Sequence, residues 1–167
     1  MTPQAALSSR AIVTEVTGGR DSGSALGSYL SDQEVKVQLE RSLLDNGLLG
    51  EAEAEYRITA KILDIETDRG WFRLTVRCTI RYRISKANGI EVLNDTIATN
   101  NTARTATRKS LHQAIGLIGS PWAIFQNHGR LEETIASQPM RQGMNASLQA
   151  NIESFITKLR SILADQP

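Results

Sequence analysis

Strict alternation of apolar and polar positions marks the middle of the chain. In RLTVRCTIRYRI, Arg73 to Ile84, every second residue is apolar: Leu74, Val76, Cys78, Ile80, Tyr82 and Ile84. Arg73, Arg77, Arg81 and Arg83 stand between them. A period of two belongs to a strand with one covered and one wet face, so a strand is predicted over Trp71–Ile84. Upstream, Tyr56, Ile58, Ala60 and Ile62 alternate in the same way, and then Leu63 and Ile65 take over as the apolar set. One extra residue produces such a slip of phase. The strand predicted over Glu55–Glu66 therefore carries a β-bulge at Ile62–Leu63, or else buries both faces near that end. Asp68-Arg69-Gly70 reads as the turn between these two strands. Asn88-Gly89, the strongest short hairpin signal, leads into a strand over Ile90–Asn100. Strands of about 14 residues span roughly 46 Å.

The flanks follow other periods. Ala11–Thr17 (AIVTEVT) is rich in β-branched residues and reads as a first strand. A Gly/Ser-rich loop follows. Ser31 with Glu34 three residues on forms a capping box, and Val35, Leu39 and Leu43, joined by Leu44, continue at helical spacing. Gly47 is placed to end that helix. A closing helix is predicted over Pro139–Ala164, with Met144, Leu148, Ile152, Phe155, Ile156, Leu159, Ile162 and Leu163 as its apolar stripe. The order β-α-β-β-β then helices predicts an α+β, two-layer sandwich. Its sheet is mainly antiparallel and long-stranded, with the helices on one face.

Residues 1–167 are expected to form a single domain, with its core in 11–100 and 139–164 and a less regular segment over 101–138. Within that segment Arg108–Ile118 and Leu131–Ala136 are candidate short helices. The apolar run Ile115–Phe125 has two readings. It caps the end of the core, or it is a lid or partner-contact loop anchored by Trp122 and Phe125.

Charge narrows the function classes. With 19 basic and 18 acidic residues the net charge is +1, which provides no global basic field for nucleic acid. The one cysteine, Cys78, belongs to the apolar set of its strand, as a core residue and not a nucleophile. His112 and His128 lack metal-ligand spacing. DIETDRG departs from a calcium loop at its sixth and twelfth positions, Arg69 and Thr75. TGGRDSGS, Thr17 to Ser24, lacks the phosphate-loop pattern and reads as a flexible connector. No catalytic set, metal or cofactor is expected, and the chain is read as non-enzymatic. No apolar run reaches the ~18 residues of a membrane helix.

The arginines are the remaining candidate chemistry. With Arg69-Gly70 as the two central residues of the turn, Glu66 faces Arg73, Arg57 faces Arg81 and Lys61 faces Arg77. With Asn88-Gly89 as the next turn, Arg77 meets Asn100, Arg81 meets Thr96 and Arg83 meets Asn94. Arg83 is also placed to reach Glu55. This register gathers Arg57, Lys61, Arg77 and Arg81 into a basic cluster, and a different loop length dissolves it. Two readings are open: a solvated sheet face that discourages aggregation, or a shallow face binding a lipid head group, a phosphate-bearing glycan or an acidic protein surface.

Three stretches carry a family resemblance: VTGGR…SYLSDQEVKVQLERSLLDNGLL, the meander EYRITAKILDIETDRGWFRLTVRCTIRYRISKANGIEVLND, and the closing NASLQANIESFITKLRSI with Asn151-Ile152. In these the chain resembles the mature part of small bacterial envelope lipoproteins, among them lipopolysaccharide-assembly lipoproteins and auxiliary lipoproteins of transport systems. The resemblance implies a non-catalytic accessory or scaffold role in outer-membrane assembly or transport. It implies a periplasmic, outer-membrane-anchored location, with an envelope protein complex or an anionic lipid or glycan as partner. The family's lipid-bearing cysteine and signal peptide are missing, and on this resemblance Met1 stands in their place in a shortened chain. The alternative is a soluble, cytoplasmic anion- or nucleic-acid-binding module using the basic sheet face.

Overall fold

The computed structural model describes residues 10–19, 30–51, 53–69, 73–104 and 121–164, without the side chains of residues 69, 103–104 and 121–139. Four strands, β1 (Ala11–Thr17), β2 (Tyr56–Arg69), β3 (Arg73–Lys86) and β4 (Glu91–Arg104), lie in that order in one sheet. β1 runs parallel to β2, while β2, β3 and β4 form an antiparallel meander. Among the described residues two helices, α1 (Asp32–Asp45) and α2 (Pro121–Ala164), pack on one face, α1 over β1 and α2 over β3 and β4. The architecture is α+β, as the alternating pattern predicts.

The alternation assigns the faces. Leu74, Val76, Cys78, Ile80, Tyr82 and Ile84 are all buried beneath the helices, and Arg73, Arg77, Arg81 and Arg83 are all exposed. The β2 bulge falls where the phase slips. Ile62 pairs with Ile80 and Asp64 with Thr79, which leaves Leu63 as the inserted, exposed residue. At the β3–β4 hairpin Gly89 takes φ +85°, and Arg77, Arg81 and Arg83 meet Asn100, Thr96 and Asn94 as predicted.

Helix α1 starts at its capping box: Ser31 Oγ accepts from the Glu34 amide, and the Glu34 carboxylate accepts from the Ser31 amide. Val35, Leu39 and Leu43 are buried, but Leu44 is exposed and does not join their stripe. Gly47, at φ +67°, follows the helix end.

Two expectations are corrected. The glycine pair that opens the predicted flexible connector is packed against its neighbours, and residues 20–24 of that connector lie outside the described residues. A Cβ on Gly18 would stand 2.2 Å from the Ile62 carbonyl oxygen, beside the bulge, and the backbone there takes φ +90°. The Gly19 amide donates to the Asp32 carboxylate at 2.6 Å. The closing helix begins at Pro121, 44 residues in all, and contains Pro139 in its interior. Residues 121–138 are thus helical and not irregular. Proline interrupts one backbone bond and crowds the preceding turn, and the helix continues through it. The candidate helix Arg108–Ile118 lies outside the described residues.

α2 settles onto the sheet through small and polar residues one turn apart. A Cβ at Gly143 would meet Val76 Cγ2 at 3.0 Å. Ser147 Oγ donates to the Thr99 carbonyl at 3.0 Å, and Thr99 Oγ1 donates to the Ser147 carbonyl at 2.7 Å. Asn151 is fully buried. Its amide nitrogen donates to the carbonyls of Cys78 (3.1 Å) and Ile97 (2.8 Å), and its oxygen accepts from the Tyr82 hydroxyl (2.9 Å). The Tyr82 ring stacks on Phe155 with centroids 4.1 Å apart.

Candidate functional site on the open sheet face

The face away from the helices is built from the polar halves of the four alternating strands. Three of its cross-strand rows decide its chemistry. Glu15, Thr59, Arg83 and Asn94 form one row; Thr17, Lys61, Arg81 and Thr96 form the next; Glu66, Arg77 and Asn100 form a third, past the end of β1.

The basic cluster predicted from the turns is rearranged. Arg69 pairs with Leu74, whereas the predicted turn puts Arg69 at its own centre. Every β2 partner on β3 moves four residues along. Glu66 faces Arg77 and ion-pairs with it at 3.2 Å, and Arg73 lies opposite Arg104. Arg57 faces Ser85, away from Arg81. Arg83 pairs with Glu91 at 2.5 Å, while Glu55 pairs with Arg10 at 3.7 Å. Of the four predicted residues, Lys61 and Arg81 are brought directly opposite each other, and Arg57 and Arg77 fall outside their row. Arg83, two residues from Arg81 on the same face, joins them. The side chains of Trp122, Phe125 and His128 lie outside the described residues, as does His112 altogether; the backbone of Trp122 and Phe125 is in the first turns of α2.

A shallow pocket of about 300 Å³ opens here, lined by Glu15, Thr17, Thr59, Ala60, Lys61, Arg81, Arg83 and Asn94. Arg81 Nε donates to Thr96 Oγ1 at 3.5 Å. Among the described residues no ion pair reaches Lys61 or Arg81. Arg83 and Asn94 escape a reading based on opposed charges alone; what marks them is their position two residues along from Arg81 and across the β3–β4 pair.

The opposite, covered face holds different chemistry. Burial pushes the Cys78 thiol up to about 11. Burial, and then the neighbouring Cys78, push the Tyr82 phenol far above its ordinary range. Such groups stay neutral and hydrogen-bonded or packed. Among the described residues no three His, Cys, Asp or Glu side chains gather closely enough to hold a metal ion, and no helix is long and apolar enough to cross a membrane.

A mixed four-stranded sheet, covered on one face by two helices and carrying charged rows on the other, defines the fold class. No protein-family model matches the chain, and a search of curated proteins finds no match. Solved structures do match. A candidate lipoprotein of Caulobacter crescentus CB15 is 15% identical over 92% of both chains, with a TM-score of 0.53. The hypothetical protein CT253 of Chlamydia trachomatis is 12% identical over 95% of this chain and 99% of that one, with a TM-score of 0.61. At such identities the likeness shows a shared fold.

Proposed function

We propose that this chain is the globular part of a bacterial envelope lipoprotein and acts without catalysis, as an accessory or scaffold in outer-membrane assembly or transport. The observation that carries the reading is the likeness to the Caulobacter candidate lipoprotein across 92% of both chains. Side-chain chemistry is consistent with a non-catalytic role. The only cysteine is a buried core residue with a raised pKa, and the pocket on the sheet face is shallow and solvent-facing. The proposed partner is an envelope protein complex or an anionic lipid or glycan, met by the charged sheet face. The proposed location is the periplasmic side of the outer membrane, through a lipid-anchored amino-terminal segment.

Metabolic labelling with an alkyne fatty acid, followed by membrane fractionation, tests this. Expression from the complete gene is expected to give a labelled product in the outer-membrane fraction. An unlabelled product in the cytosol overturns the reading. That outcome turns to the second one, a soluble anion- or nucleic-acid-binding module, which the Lys61–Arg81 pairing favours. Its signature is affinity that falls steeply with salt.

A further inference from the structure

Lys61 on β2 and Arg81 on β3 are exposed and directly opposite each other. Side chains so placed start about 4.5–5.5 Å apart, and like charges there destabilise the pair. Two other cations of this face are each answered by an acid, Arg77 by Glu66 and Arg83 by Glu91. In this row the outer neighbours are Thr17 and Thr96, which offer hydroxyls and no charge. The repulsion is therefore left in place at the mouth of a pocket that also contains Arg83, Thr59 and Asn94.

We propose that this pocket binds a phosphoryl group. Two adjacent cations are matched by a group carrying about −1.5 to −2 charge at neutral pH. The Arg81 guanidinium is suited to two phosphoryl oxygens through its planar fork, and Lys61 supplies a point charge to a third. Thr17, Thr59 and Asn94 supply hydrogen-bond donors to the group that carries the phosphate. Glu15, on the β1 wall of the pocket, opposes the anion and limits affinity. The site is open, so binding is weak and salt-sensitive. The inference stands on the geometry of the row and holds whether or not the chain is lipid-anchored.

Two ligand sources share this chemistry, a soluble phosphate compound and a phospholipid head group. The test is an amide NMR titration of the chain at low salt with two probes. One is inorganic phosphate; the other is vesicles of phosphatidylcholine with and without phosphatidic acid. Phosphate is expected to move the amides of Thr59, Lys61, Arg81 and Arg83. Lys61→Gln and Arg81→Gln each weaken binding about fivefold, and Glu15→Gln tightens it about twofold. Arg57→Gln, outside the row, leaves it unchanged. Lys61→Gln should at the same time raise the melting temperature by about 1–2 °C, because it relieves the like-charge contact. Phosphate binding alone supports a soluble ligand. Vesicle binding that needs phosphatidic acid and fails in the Lys61 and Arg81 variants supports a head group. Shifts scattered over the surface, or equal affinity in both variants, overturn the proposal.

Discussion

Asn151 shows how one side chain positions two layers. A fully buried amide is expensive unless satisfied, and here both ends are used, on the Cys78 and Ile97 carbonyls and on the Tyr82 hydroxyl. Any sliding of α2 along the sheet breaks these bonds, so the helix has one favoured seat. Asn151→Leu is expected to cost about 2–4 kcal/mol, because it leaves the Tyr82 hydroxyl and two carbonyls short of a partner. Adding Tyr82→Phe should cost less in that background than in the wild type. Denaturant unfolding of the four proteins checks this, and additive losses would show that the pair is uncoupled. The signal was present in the sequence: Asn151 interrupts the apolar stripe between Leu148 and Ile152. Polarity on an apolar face does not name its partners, since these come from β3, 69 and 73 residues away, and from β4, 54 residues away.

At the scale of elements, legibility followed locality. The capping box at Ser31, the bulge at Leu63 and the β3–β4 register from Asn88-Gly89 each depend on a few adjacent residues, and each is found where the sequence puts it. The β2–β3 register depends on where the connection between the strands is centred, and it is displaced by four from the register predicted with Arg69-Gly70 at the centre. An even displacement preserves which face each side chain occupies. This is why the arginines point outward as predicted while their partners across the strand differ. The start of α2 was missed because Pro139 reads as the first turn of a helix, whereas the helix begins at Pro121 and runs through it. Gly18 makes an element-scale prediction. Its positive φ and its approach to the Ile62 carbonyl leave no room for a methyl group, so Gly18→Ala should destabilise by about 1–3 kcal/mol. Thermal unfolding measures it, and an unchanged melting temperature would mean that the β1 exit is free to move.

At the scale of the molecule, the two layers are also joined by charge. Asp95 of β4 and Lys158 of α2 form an ion pair. The hydrogen bond from Lys158 holds the Asp95 carboxyl below its ordinary range. A lowered folded-state pKa contributes stability above the ordinary aspartate value, and that contribution is lost as pH falls through the lowered one. Both partners are partly exposed, so it should amount to about 0.2–1 kcal/mol. Asp95→Asn is expected to lose stability at neutral pH and to converge on the wild type in strong acid. Parallel pH series of urea unfolding would reveal it, and a constant gap down to low pH would assign the loss to packing. A different consequence comes from the way β1 is held. It is a seven-residue strand parallel to β2, with its first residue beside the start of β2 and the end of β3. A pull on Arg10 directed along the strand axis and away from the sheet loads the β1–β2 ladder in shear, all its bonds together, and cannot unzip them one at a time. A domain tethered at that end would resist tension through its shortest strand, and the strand would give way as a unit.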